Sequence, residues 1–254
     1  MAMLQFWLFL PLVILPGLLF LMTFPDSTDT RKRLKLSEED YAVGSKRAAA
    51  VFAEVTPGLK EAFAAKELEW GAPIFIRAFK EERELELWVQ KGETFTLFRK
   101  YHVAGISGEA GPKLRQGDGQ IPEGFYFVTP GQMNPQSNFH LSFNIGYPNQ
   151  YDRLHERTGD FIMVHGSDVS VGCLAMTDEK IEEIYTLAHA AFQGGQKFFR
   201  VHLFPFHLTD AKLALWKENH WHSFWENLRG GYQWFEEKKV PPNVTVGDNR
   251  YHFD

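Results

Sequence analysis

The chain has 254 residues, 44% of them hydrophobic and 23% charged, with a formal net charge of −5 at pH 7. That is a globular composition large enough to bury a real core, and it gives no basis for binding nucleic acid or an anionic membrane surface. A single cysteine excludes an internal disulfide, while 15% aromatic residues, with 23 Phe, suit a β-rich interior.

Residues 1–24 carry no charged side chain and 6–22 are apolar throughout. This predicts a signal peptide or single membrane anchor over 1–25, so the membrane is a partner if the segment stays uncut. Pro11, Pro16 and Gly17 argue against a buried soluble helix. Arg31, Lys32, Arg33 and Lys35 follow, and the positive-inside rule alone would hold the rest in the cytoplasm. Residues 26–70 read as a linker and flanking helices. Ser37 with Asp40 resembles a capping box opening a helix to about residue 54, and a second helix is predicted over 57–68 with Pro57 at an early position.

From residue 73 the hydrophobic period changes to two. Strands are predicted over 74–79, 84–89 and 93–103, joined by turns at 80–83 and 90–92. A Gly-rich loop over 105–119 carries Lys113, Arg115 and Asp118, but lacks the Gly-Lys-Ser/Thr ending of a phosphate-binding loop. Residues 124–129 and 138–145 continue the β pattern. The apolar run 161–164 predicts a strand that delivers His165 and Gly166 at its end. A short loop then presents Ser170, Gly172 and Cys173. Thr177 reads as an N-cap, and Ile181, Ile184, Tyr185, Ala188 and Phe192 form the core-facing stripe of the following helix.

Residues 197–206 read as a closing strand carrying His202, with His207 just beyond. A Trp-rich helical segment starts at Thr209 or Asp210 and runs to about 237. Its Trp216, Trp221, Trp225 and Trp234 either bury against the domain or stack on sugar, and burial is favoured. His220 and His222, two apart, face different ways on a helix, and no zinc spacing occurs, so neither metal nor cofactor is expected. Residues 241–254 read as a polar, extended tail. The class is α+β, with a mixed β-sheet or sandwich beside helices.

The chemistry concentrates at 161–185. A thiolate attacks acyl carbons well, but a free thiol near neutral pH is mostly protonated, so it needs a base within reach. His165 can take the proton and return it to a leaving amine. Gly172 leaves its backbone open to a substrate, and amides around Cys173 can bind an oxyanion. No acid stands in position to orient the imidazole, which leaves the backbone carbonyl near Gly166. The alternative is structural: Cys173 as a small buried hydrophobe and His165 as a satisfied strand-end residue.

His165-Gly166 followed by Ser170-Val171-Gly172-Cys173 resembles the signature of the L,D-transpeptidase catalytic domain, the YkuD-like family. Gly111-Pro112-Lys113, Gly117-Asp118 and Ile121-Pro122-Glu123-Gly124-Phe125-Tyr126 match the block that precedes its catalytic strands. Residues 139–149 and 201–206 are similar to the YafK-like branch. The resemblance covers roughly 73–207 and implies a β-rich catalytic domain over 71–207; the helical extension and tail over 208–254 follow it. It implies Cys173 as nucleophile, His165 as acid/base and peptidoglycan stem peptides as substrate. It also implies a place in the bacterial cell envelope, exported or anchored in the inner membrane, and export is the reading adopted. His140 and Tyr147 fall near the implied cleft, either binding substrate or serving a buried structural role. Lys113, Arg153 and Arg157 are candidates for pairing with stem-peptide carboxylates. Val171 and Ala175 stand where the wider family usually has polar residues, and the His-to-Cys interval is short. Three readings follow: a transpeptidase, an amidase of the same family that detaches a wall-linked lipoprotein, and a non-catalytic wall-binding module.

Overall fold

A computed structural model describes the backbone of residues 38–254 and the side chains from residue 45 onward. The expected signal or anchor, most of the linker and the Ser37 cap lie outside the described residues. The first helix, α1 (Glu38–Ala65), is continuous where the sequence predicts two, and Pro57 lies inside it. A proline there removes the hydrogen bond to the carbonyl four residues back. Ala48, Val51, Phe52, Val55, Leu59, Ala62 and Phe63 nevertheless keep helical spacing across it and pack on the core, while Pro57 and Gly58 face solvent. Burial of that stripe outweighs the local break.

Eleven strands follow among the described residues: β1 (Ile74–Phe79), β2 (Glu84–Lys91), β3 (Thr94–His102), β4 (Gly124–Val128), β5 (Met133–Asn134), β6 (Ser142–Asn144), β7 (Met163–His165), β8 (Leu174–Ala175), β9 (Phe199–Phe204), β10 (Val244–Gly247) and β11 (Arg250–Phe253). One sheet has the order β3-β2-β1-β9-β4 and a second the order β5-β6-β7-β8. The β1–β9 and β7–β8 pairs are parallel, and the others in these two sheets are antiparallel. A short helix, α2 (Gln150–Leu154), lies between β6 and β7, and α3 (Asp178–Gln193) between β8 and β9. The result is the expected α+β class.

Alternation along each strand divides the large sheet between two faces. Ile74, Ile76, Leu85, Leu87, Tyr126, Val201 and Leu203 share one core with α1, α3 and the second sheet. On α3 the expected stripe is the buried one, with Ile181, Ile184, Tyr185 and Ala188 inside and Phe192 partly so. Phe75, Phe79, Trp88, Phe125 and Phe204 face the other way. There they meet the C-terminal segment, made of α4 (Asp210–Leu215), α5 (His222–Lys238) and the β10–β11 hairpin. Every residue of β1 is therefore buried.

This segment differs from the sequence reading twice. The helical run is broken between α4 and α5, and the expected tail is a hairpin. Asp248 and Asn249, with φ of 49° and 56°, form its two-residue turn, and positive φ at both positions matches the twist of the flanking strands. Tyr251 is then buried between Phe125 and Tyr151. Arg77, buried on the same face, is held by Glu86 at 2.8 Å and Glu236 at 2.6 Å, and lies over the Phe235 ring at 4.7 Å. A charge so placed needs pairing of this kind.

Candidate active site

β7 is an inner strand of the second sheet, and at its end His165 is paired with Ser142 of β6 and Ala175 of β8. The chain then turns at Gly166, whose amide donates to the Phe139 and Leu141 carbonyls at 3.0 and 3.1 Å. A Cβ there would strike Asp178 Oδ1 and the Phe139 carbonyl, so the position requires glycine. The Gly166 carbonyl lies 2.6 Å from His165 Nδ1. A carbonyl only accepts, so Nδ1 carries the proton and Nε2 keeps its lone pair. The ring packs on Phe139 with centroids 4.7 Å apart.

The return loop brings Cys173 to the same strand. Extending the β7–β8 register by one residue sets Cys173 beside Met163, two positions from His165. The Sγ accepts from the Met163 amide at 3.3 Å and donates to the Phe161 carbonyl at 3.6 Å. Thiol and imidazole are thus each hydrogen-bonded to backbone rather than to one another, and a direct contact between them would have to form before a proton could pass. Such contacts commonly tighten only when substrate binds. Burial raises the thiol pKa, against a lowering by the Met163 amide and the Lys113 charge. Burial also lowers the His165 pKa, partly offset by its hydrogen bond to Gly166.

Ser170 Oγ donates to the Cys173 carbonyl at 2.7 Å and accepts from the Cys173 amide at 3.0 Å, closing the loop on itself. The Gly172 amide, at a residue with φ of +83°, donates to Ser107 Oγ at 2.6 Å. Both amides proposed for an oxyanion therefore already hold hydroxyl oxygens. Lys113 is 3% exposed and its ammonium is bonded to Asp118 Oδ1 at 2.6 Å and the Arg115 carbonyl at 2.9 Å. Burial of Asp118 opposes ionisation, but the Arg115, Leu114 and Gln120 amides and Lys113 outweigh it, bringing the carboxyl to about 2. Lys113 is thus engaged inside the loop, with only its charge felt at the thiol. Arg157 is likewise engaged, bonded to buried Asp152 at 2.9 Å, and Arg153 donates to the Pro148 carbonyl. His140 meets Glu182 of α3 at 2.7 Å, and its carbonyl accepts from Arg47 of α1 at 2.7 Å. Tyr147 is buried, its hydroxyl donating to the Lys113 and Thr158 carbonyls at 3.3 Å. Thr177 occupies the N-cap position of α3 but makes no capping hydrogen bond through its side chain.

Residues 74–194 match the YkuD family model, described as the L,D-transpeptidase catalytic domain. The chain is 44% identical over 186 residues to "Putative L,D-transpeptidase YafK" of Escherichia coli strain K12, covering 73% of this chain and 76% of that protein. It belongs to the YkuD L,D-transpeptidase family. The same identity and coverage hold for the protein of that name in Escherichia coli O157:H7. Among solved structures, the helical cell shape determining protein Pgp2 from Campylobacter jejuni is similar at a TM-score of 0.44 and 15% identity, over 71% of this chain and 75% of that one.

In this YkuD-family chain three neighbours of the Cys–His pair escaped the sequence reading. Ser107 reaches Gly172 across 65 residues, so no local spacing announces it. Phe139 gives the His165 ring its stacking partner, although it lies in a segment read as strand. Asp178, the first residue of α3, accepts through Oδ1 from the Ser167 amide at 2.8 Å and so holds the turn after Gly166.

Proposed function

We propose that the protein is a cysteine acyl-transfer enzyme acting on peptidoglycan stem peptides. Cys173 Sγ attacks a peptide carbonyl while His165 Nε2 accepts the thiol proton. The tetrahedral intermediate collapses, the carbon–nitrogen bond breaks, and the imidazolium protonates the departing amine, leaving a thioester. For a transpeptidase that amine is D-alanine. An acceptor amine then attacks the thioester, giving its proton to His165 as the new amide forms and the sulfur leaves as thiol. The Gly172 and Cys173 amides stabilise the oxyanion once it displaces the Ser107 and Ser170 hydroxyls from them. The observation that carries this reading is the 2.6 Å contact between His165 Nδ1 and the Gly166 carbonyl, which leaves Nε2 with a free lone pair and so supports the base role. The family acts on the cell wall, which supports a site of action in the envelope.

A second reading shares the thioester but resolves it with water, making the protein an amidase that detaches a wall-linked lipoprotein. It is favoured by Val171, 83% exposed beside the nucleophile loop, and by Ala175, which is fully buried. Neither supplies a polar group to hold an acceptor amine. Mass spectrometry of peptidoglycan treated with the purified protein separates the readings. Loss of D-alanine with new direct cross-links between stem peptides supports transpeptidation, and release of a lysine-ended lipoprotein supports the amidase. Cys173→Ala is expected to abolish either product. An unchanged cellular phenotype in Cys173→Ala, with no product from the wild type, would leave only the wall-binding module.

A further inference from the structure

The C-terminal hairpin forms one wall of an open cavity of about 380 Å³ against the large sheet. Its floor comprises two cross-strand pairs of β4 and β9, Phe125 with His202 and Phe127 with Arg200. These residues alternate with Tyr126, Val201 and Leu203, which face the core shared with the second sheet. The cavity therefore lies across the large sheet from that core and is separate from Cys173.

Two features of the floor set its chemistry. His202 is 1% exposed, and neither ring nitrogen has a hydrogen-bond partner among the described residues. Its ring is flanked edge-on by Phe75 at 4.6 Å and Phe125 at 4.7 Å, neither able to satisfy it. Arg200 supplies the second feature. Its guanidinium donates to Asn243 Oδ1 at 2.8 Å and lies 5.3 Å from the Phe198 ring, but no carboxylate among the described residues pairs with it. No Asp or Glu lines the cavity. A partly desolvated guanidinium that stays charged selects an anion, and its planar fork matches a carboxylate. Aromatic walls select an apolar body, and the volume lies at the small end of the range for organic ligands.

We propose that this cavity binds a small organic carboxylate, its oxygens on Arg200 and Asn243 and its apolar body over Phe125 and Phe127, with the His202 ring beside Phe125. Calorimetric titration of the full chain with phenylacetate, and with phenylacetamide as the uncharged match, tests it. Phenylacetate is expected to bind with a millimolar Kd, about tenfold tighter than the amide, and to shift the ring proton resonances of Phe125 and Phe127. Arg200→Gln is expected to lose about tenfold in affinity, whereas Cys173→Ala leaves binding unchanged. Arg200→Lys, which keeps the charge, gives an intermediate value and serves if the glutamine variant does not fold. N-acetylalanine in parallel distinguishes a peptide carboxy terminus from an aryl acid, and tight binding of either supports the site. Equal affinity for acid and amide, indifference to both Arg200 variants, or no binding of either acid at millimolar concentration would overturn it.

Discussion

Burial raises the Cys173 thiol above its ordinary 9.0 and lowers the His165 imidazole below 6.5, so both groups are uncharged near neutral pH. In the mechanism proposed above, proton transfer then accompanies attack instead of preceding it. Below the depressed His165 value the ring is protonated and cannot accept the thiol proton, and as pH rises through that value the base appears. The kcat/KM profile is accordingly expected to rise with an apparent pKa below 6.5 and to stay level past 9.0, and a maximum on the acid side would contradict it. Ser170 holds the loop that carries Cys173 with two hydrogen bonds at one hydroxyl. Ser170→Ala is expected to reduce kcat/KM roughly tenfold, equivalent to about 1.4 kcal/mol, with His165→Gln as the comparison at roughly 10²-fold or more. A Ser170→Ala enzyme as fast as wild type would show that the loop holds its shape without the hydroxyl.

At the scale of elements, strand positions were the most legible part of the chain, because successive side chains alternate between two faces: on β1 and β2 both faces are buried in different cores, and on β3 exposure itself alternates. The helices were less so. A proline reads locally as a break, yet α1 runs through Pro57 because the residues on either side bury one stripe against the core. Pro57→Ala restores the missing donor on a solvent-facing turn. It is expected to stabilise the fold by about 2 kcal/mol, the helix-interior proline penalty less the entropy lost from the unfolded chain. Urea unfolding measures this, and an unchanged midpoint would mean that the helix has already adapted around the ring. The β10–β11 hairpin was missed for a different reason. Asp248-Asn249 is a weaker turn signal than Asn-Gly or Asp-Gly, and its strands bury side chains only because the large sheet offers them aromatic partners.

Across the whole molecule, the C-terminal segment and the loop that bears Lys113 are joined through one buried carboxylate. Glu123 Oε1 accepts from Lys80 at 2.9 Å and from the Gly111 amide at 2.8 Å, and Oε2 accepts from Trp225 Nε1 at 2.8 Å. Trp225 is fully buried, in keeping with the structural role favoured for it from sequence. Trp225→Phe keeps the ring but leaves Oε2 without this donor. It is expected to lower stability by about 2 kcal/mol, read by chemical denaturation, and a loss within error would show that the carboxylate does not depend on the indole.

By itself the sequence determined the α+β class, the strand that ends in His165, the loop that carries Cys173 and the amphipathic face of α3. Each is encoded within a few residues, where hydrophobic period and turn chemistry act. Tertiary structure alone decided that Ser107 meets Gly172 and that the C-terminal hairpin covers the Arg200 and His202 end of the large sheet. These contacts join segments whose approach is set by packing between sheets and helices. The resulting burial leaves some polar groups paired and others without a protein partner, and no spacing along the chain reports which.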